Sequence, residues 1–246
     1  TLDPEVEGVL PLCIGKATKL VPFLTDTDKT YVATVCLGAS TDTEDQTGTV
    51  LETKKLDHPL TTEEIQNVLN RFLGEIEQMV PLYSAVKVKG KKLYEYAREN
   101  IEVERPTRKV HIHEIHFIDM NYDSHNGQQS ITFEVNCSKG TYIRTLCKDI
   151  GLELGYPAHM KKLFRTKSGP FKKEDTIPLD TVLSMELDKV TTYLQPMSTG
   201  VSHFDVISVD DATKQKVLHG QKLRLPEKEL TTPYFRIESQ GMLLAI

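Results

Sequence analysis

The run KTYVATVCLG at residues 29–38 constrains the fold more than any other stretch. It alternates β-formers, with Tyr31, Ala33, Val35 and Leu37 on one face and Val32, Thr34 and Cys36 on the other. Both faces are largely apolar, so neither can be left to water, and the strand belongs in the middle of a covered sheet. A chain of 246 residues is long enough to provide that cover, removing roughly 70–75% of its unfolded surface from solvent. Apolar residues make up 39% and charged residues 26%, which argues against disorder. Thirty basic against thirty-five acidic side chains leave a net charge of −5, so the chain does not coat nucleic acid by bulk charge, although local patches can. No run of 18 apolar residues occurs, and no membrane contact is expected. Cys13, Cys36, Cys137 and Cys147 stand apart without a C-x-x-C pair and read as thiols in a reducing, cytoplasmic setting. The chain opens at Thr1 and closes on an apolar run to Ile246, and so reads as part of a longer polypeptide.

Other elements follow from local signals. Residues 39–48, with Asp42, Asp45 and Gly48, read as a turn-rich loop. Thr61 and Glu64 form a capping-box signature, and Ile65, Val68, Leu69, Phe72, Ile76 and Met79 then recur at helical spacing. Strands are expected at about 109–119 and 130–137, the second with Ile131, Phe133, Val135 and Cys137 in strict alternation. A helix is expected from near Tyr142 to Gly155. Strands and helices mix without regular alternation, which predicts an α+β domain with a largely antiparallel sheet. Beyond Gly200 the texture changes to a short strand, a short helix and a glycine turn, predicting a small second domain that is only partly present.

Individual residues point weakly to chemistry. Asp3 precedes Pro4 and reads as a turn aspartate, and Tyr31 reads as a strand core residue. His111, His113 and His116 suggest a metal, but a regular strand puts His116 on the face opposite the other two, so no metal site is expected. No P-loop or dinucleotide fingerprint occurs, so no nucleotide cofactor is indicated. Lysines and arginines cluster from Lys87 to Lys109 with Tyr83, Tyr94 and Tyr96 interleaved. Interspersed glutamates also allow an ordinary mixed, solvated face. A second cluster includes Lys161, Lys162, Arg165 and Lys167.

Four blocks change that balance: TLDPEVEGVLPLCIGKATKL, DTDKTYVATVCLGASTDTEDQTG, VPLYSAVKVKGKKLYEYAREN and CSKGTYIRTLCKDIGLELG. In order and spacing they resemble successive motifs of the TruB family of tRNA pseudouridine-55 synthases of bacterial type, from Leu2 to about Phe171. The resemblance implies a pseudouridine-synthase-like mixed sheet with flanking helices at residues 1–199, and a partial β-rich, PUA-like RNA-binding domain at 200–246. It implies an isomerase that turns uridine into pseudouridine at position 55, in the T-loop of tRNA, acting on a flipped-out base without a cofactor. Asp3 is then the nucleophile, because a carboxylate can add to a sugar or pyrimidine carbon and leave again. Arg144 pairs with that aspartate, while Tyr31 stacks on the target uracil and takes or relays a proton. Tyr142 and Leu163 line the base pocket, and Lys19 and Asp45 lie near the cleft. The segment with Lys87, Lys89, Lys91 and Arg98 grips the T-arm, and Lys161 and Arg165 meet phosphate on the other side. No obligate protein partner is expected. A competing expectation is an RNA-binding and refolding module that engages tRNA without chemistry.

Overall fold

A computed structural model describes residues 2–224 and 229–246. They fall into two compact units, residues up to 8 with 28–167, and residues 9–27 with 168–246. The first begins with β1 (Glu7–Gly8). After an excursion through α1 (Val21–Thr25), which belongs to the other unit, it resumes as β2 (Lys29–Leu37), β3 (Ala39–Thr41) and β4 (Val50–Thr53). Next come α2 (Thr62–Arg71), β5 (Gly74–Met79), the hairpin β6 (Lys87–Val88) and β7 (Lys91–Lys92), and α3 (Leu93–Arg98). The long strands β8 (Thr107–Asp123) and β9 (Gln128–Cys137), then α4 (Ile143–Glu153) and β10 (Ala158–Ser168), complete it.

The main sheet runs β1-β10-β2-β9-β8-β5. Antiparallel pairing joins β2 to β9, β9 to β8 and β8 to β5, whereas β1 runs parallel to β10. The central place of β2 agrees with its two apolar faces. Ala33, Val35 and Leu37 face the core opposite Phe133, Ile131 and Gln129 of β9, all fully buried. Helices α2 and α4 pack on this core through Ile65, Val68, Leu69, Leu146 and Ile150. Tyr31 shares the face of Ala33 and Val35 and packs half-buried at the edge of the same core.

The structure corrects several local expectations. Residues 39–41 form a strand, paired with β4, before the loop begins. The helical spacing drawn through Ile76 and Met79 fails because α2 stops at Arg71 and Gly74 turns the chain at φ +90°. From there Ile76 and Gln78 alternate inward on β5 while Glu75, Glu77 and Met79 face solvent, a period of two. In β8 the register shifts between Ile112 and Glu114, so Ile112 and Ile115 both point inward and His111, His113 and His116 all face solvent. Among the described residues no group of three or more His, Cys, Asp or Glu side chains is placed to hold a metal. The four cysteines are free thiols.

In the second unit, β11 (Phe171–Lys172), α5 (Leu179–Leu183), α6 (Leu187–Thr191) and α7 (Met197–Gly200) precede β12 (Asp205–Ser208) and α8 (Asp211–Leu218). Strands β13 (Phe235–Ser239) and β14 (Met242–Ala245) then complete a three-stranded sheet in the order β12-β13-β14. Its small core gathers Leu20, Val201 and Phe204, with Phe23 set edge-on against Phe204 at 5.6 Å. Among the described residues no helix is long and apolar enough to cross a membrane.

The packing of α4 on β10 generates a stability prediction. Gly151→Ala gains about 1 kcal/mol of helix propensity. The added Cβ, however, would stand 2.2 Å from the Ala158 Cβ, a clash that no side-chain rotation relieves. Overpacking of this kind costs about 1–3 kcal/mol, so the variant loses stability on balance. Urea unfolding should show a lower midpoint at unchanged slope, and a higher midpoint would contradict the packing described.

Candidate active site

The site grows from the start of α4. The helix has no side-chain cap of its own. Its first backbone groups are held instead by Gln78 of β5, whose Oε1 accepts from the Tyr142 N–H at 2.9 Å while its Nε2 donates to the Tyr142 carbonyl at 3.2 Å. Gln78 is fully buried, and both halves of its amide are used. Arg144 projects from the first turn and is only 8% exposed. A guanidinium so far out of water must have its donors satisfied. Nη1 donates to the Thr43 carbonyl at 3.1 Å and Nη2 to the Tyr83 carbonyl at 3.0 Å. Nε lies 3.2 Å from Asp3 Oδ2, and Nη1 lies 3.7 Å from Asp45 Oδ2.

Asp3 opens a tight turn in which its carbonyl accepts from the Val6 N–H at 3.0 Å, as the Asp-Pro dipeptide predicts. The chain then enters β1, where Gly8 sits opposite Arg165 at φ +126°. A Cβ there would lie 2.3 Å from the Arg165 carbonyl oxygen, so glycine lets the two backbones meet and brings the Asp3 turn to the sheet edge. The Asp3 side chain is half exposed, which leaves a carboxylate anchored by a guanidinium yet open to solvent.

Tyr31 lies within electrostatic reach. Burial pushes its phenol above the ordinary value, with Cys137 adding to the shift and Asp3 contributing in the same direction; the Arg165 guanidinium, hydrogen-bonded to the phenol, opposes it. The phenol therefore stays neutral at physiological pH, able to give a proton or a hydrogen bond. Asp45 is fixed by its own loop, Oδ1 accepting from the Thr47 N–H at 2.9 Å and from the Thr43 hydroxyl at 2.8 Å, which leaves Oδ2 toward Arg144.

Asp3, Arg144 and Asp45 thus meet in one cluster, with Tyr31 coupled to it. Other expected residues stand apart from that cluster or differ in role. Tyr142 enters through its backbone, its ring lying under Arg108 at 5.3 Å, and Leu163 packs half-buried against the core. Lys19 is exposed on the 3-10 turn Gly15–Leu20 of the second unit. Arg165, which the sequence places in a phosphate-facing group, is 5% exposed and hydrogen-bonded to the Tyr31 phenol, on β10 where that strand pairs in parallel with Gly8 of β1. Lys161 is exposed, 3.3 Å from the Ser130 hydroxyl. Lys87 and Lys89 are exposed on the β6–β7 hairpin. Lys91 is paired with Glu99 and stacked on Tyr96, and Arg98 lies 5.2 Å over the Tyr94 ring.

Two buried polar residues that hold the cluster's surroundings carried no sequence signal of their own. Gln78 was hidden by the helical misreading of its segment. Glu44 looked like one more acid in a solvated loop, yet it is only 6% exposed and bonded to Thr145 and Lys148.

Comparisons with known proteins bear on this site. Residues 1–143 match the model of the TruB family pseudouridylate synthase N-terminal domain, and residues 144–202 match that of the tRNA pseudouridylate synthase B C-terminal domain. The whole chain is 48% identical to the tRNA pseudouridine synthase B of Oceanobacillus iheyensis, covering 80% of that protein. It is 51% identical to the protein of the same name from Shouchella clausii, covering 81% of it. Among solved structures it resembles a Cbf5-Nop10-Gar1 complex, with TM-score 0.71 and 30% identity, spanning 98% of this chain and 66% of the other. A structure of an H/ACA RNP bound to a substrate RNA containing 2'-deoxyuridine is similar as well, with TM-score 0.69 and 27% identity over 98% of this chain and 65% of that one.

The Gln78 clamp can be tested directly. Gln78→Ala leaves the Tyr142 N–H at the start of α4 without its partner, while the Tyr142 carbonyl keeps the Leu146 N–H at 3.0 Å, so the cost is about 1–3 kcal/mol for the one orphaned donor. Chemical denaturation should report a loss of that order, and a variant as stable as the parent would show that the helix start does not depend on the amide.

Proposed function

The chain belongs to the TruB family of pseudouridylate synthases, and we propose that it isomerises a uridine in the T-loop of tRNA with Asp3 as nucleophile. It converts uridine to pseudouridine in tRNA. The observation that carries the proposed mechanism is the pair Asp3–Arg144, 3.2 Å apart, with the aspartate half exposed and Tyr31 coupled to it. In the reaction the N1–C1′ bond breaks, the uracil turns over, a C5–C1′ bond forms, the C5 proton departs and N1 takes up a proton, so the product is an isomer and nothing is consumed. The Asp3 carboxylate supplies the transient covalent partner, and the Arg144 guanidinium holds it in one orientation. The neutral phenol of Tyr31 offers a flat face to the uracil and a proton donor at its edge. Leu163 is assigned to the wall of the base pocket, with Asp45 at the margin of the cleft, and Tyr142 contributes through its backbone at the start of α4.

Affinity for RNA is assigned to residues 83–105, where Lys87 and Lys89 stand exposed on a hairpin tip bent by Lys89 and Gly90 at positive φ. Lys91 and Arg98, already resting on tyrosine rings, present charge and aromatic surface together. Lys161 is assigned to phosphate on the sheet side. Residues 1–199 are read as the catalytic domain and residues 200–246 as a partial RNA-binding domain. The relatives named for tRNA share 48% and 51% identity with the chain, against 30% and 27% for the Cbf5-Nop10-Gar1 complex and the H/ACA RNP, which favours tRNA as the substrate over an RNA presented by protein partners.

Asp3→Asn should abolish pseudouridine formation on an unmodified tRNA transcript while leaving tRNA affinity within about threefold, since the change is isosteric and the residue acts on the reacting atoms. Turnover at the parent rate would remove Asp3 from the mechanism. Lys87→Glu with Lys89→Glu should weaken tRNA binding by about tenfold or more at moderate salt and flatten its salt dependence, as lost phosphate contacts do. Filter binding across a salt series measures both, and an unchanged slope would place the T-arm elsewhere.

A further inference from the structure

Glu44 combines two unusual features. Its carboxylate is buried within a polar loop, and its backbone adopts φ +63°, a left-handed conformation uncommon for glutamate. Such a conformation persists where surrounding contacts over-determine it. Here they do. The Glu44 N–H donates to the Thr41 carbonyl at 3.2 Å, and its carbonyl accepts from the Met160 N–H of β10 at 2.9 Å. Its Oε2 accepts from the Thr145 hydroxyl at 2.8 Å, its Oε1 from the Lys148 ammonium at 3.1 Å, and Arg105 Nη1 lies 3.7 Å from Oε1.

The pattern along the loop gives these contacts a meaning. Thr43 and Asp45, on either side of Glu44, are the residues that face Arg144. Glu44 grips the same helix one residue and four residues further on, at Thr145 and Lys148. Alternate residues of the loop therefore embrace the first turns of α4 from two sides. Both ends of the segment 83–105 enter the same knot, Tyr83 through its carbonyl on Arg144 and Arg105 through Glu44.

We propose that Glu44 is a positioning residue for the isomerisation: by clamping the Thr43–Asp45 loop to α4 and to Arg105, it sets the orientation of Arg144 toward Asp3 and ties that orientation to the RNA-gripping segment. Glu44 does not touch the reacting atoms. Its role rests on the functional reading above. Glycine at position 44 keeps the left-handed backbone at no steric cost while deleting the clamp. Lys148 and Arg105, about one-third and one-quarter exposed at their side chains and bordering an open groove of about 960 Å³, can then turn to water, so the variant folds.

The experiment is single-turnover pseudouridine formation on an unmodified tRNA transcript, with tRNA affinity and melting temperature measured in parallel, for the parent, Glu44→Gly and Glu44→Gln. Misplacing Arg144 by a fraction of an ångström should lower the rate of Glu44→Gly roughly 10- to 100-fold while its tRNA affinity stays within about threefold. Glutamine keeps one acceptor oxygen for the Lys148 ammonium and offers its amide N–H to the Thr145 hydroxyl, which then accepts, and should restore the rate to within about threefold of the parent. A Glu44→Gly enzyme with the parent rate overturns the proposal. So does a joint fall of rate, affinity and melting temperature in both variants, which would make Glu44 a stability residue alone. If the parent itself formed no pseudouridine, the functional reading would fall and this role with it.

Discussion

A guanidinium buried in a protein has five N–H donors that water no longer satisfies, and the first unit is organised around providing for one. Arg144 draws its four partners from three separate stretches: the turn at Asp3, the loop at Thr43 and Asp45, and the carbonyl of Tyr83. Desolvating the charge without them would cost more than a typical protein's spare stability, so these stretches converge or the helix start cannot be buried. The same convergence brings the carboxylate of Asp3 to the sheet edge, within electrostatic reach of Tyr31. Structural necessity and chemical placement are here one arrangement.

The scaffold supports that arrangement at three points that do not touch substrate. Gln78 fixes the backbone where α4 begins, so Arg144 leaves the helix at a set height. Gly8 lets β1 lie against Arg165, which aims the Asp3 turn and holds Arg165 against Tyr31. Glu44 closes the loop over the helix from the far side. Each is a buried or strained position that exposure and charge alone would not single out. Positioning of this kind is what an isomerase of this type requires, because its chemistry needs a carboxylate, a base and little else held in register.

Much of this was legible in the sequence, for reasons that can be stated. The alternation in residues 29–38 and 130–137 marked the two central strands, observed at 29–37 and 128–137, and the capping pair Thr61–Glu64 marked the start of α2. Asp3, Tyr31 and Arg144 were found through the order of four motif blocks, since a turn aspartate, a strand tyrosine and a helix arginine are each commonplace alone. What stayed hidden depends on tertiary contacts. Gln78 lay in a run whose apolar residues fit a helical period until Gly74 broke it. Arg165 sits in a basic stretch that reads as surface, yet on β10, paired with Gly8 of β1, it is 5% exposed and hydrogen-bonded to the Tyr31 phenol. The three histidines of β8 share a face because of a bulge, which no periodicity announces. Glu44 owes its burial to a helix a hundred residues away.

The most direct test is nucleotide-resolution mapping of pseudouridine in an unmodified tRNA after incubation with the parent protein and with Arg144→Lys. Lysine keeps the charge but cannot span four partners, so the account predicts pseudouridine confined to the T-loop for the parent and a rate lower by about 100-fold or more for the variant. Equal modification by both proteins, or pseudouridine outside the T-loop, would contradict it.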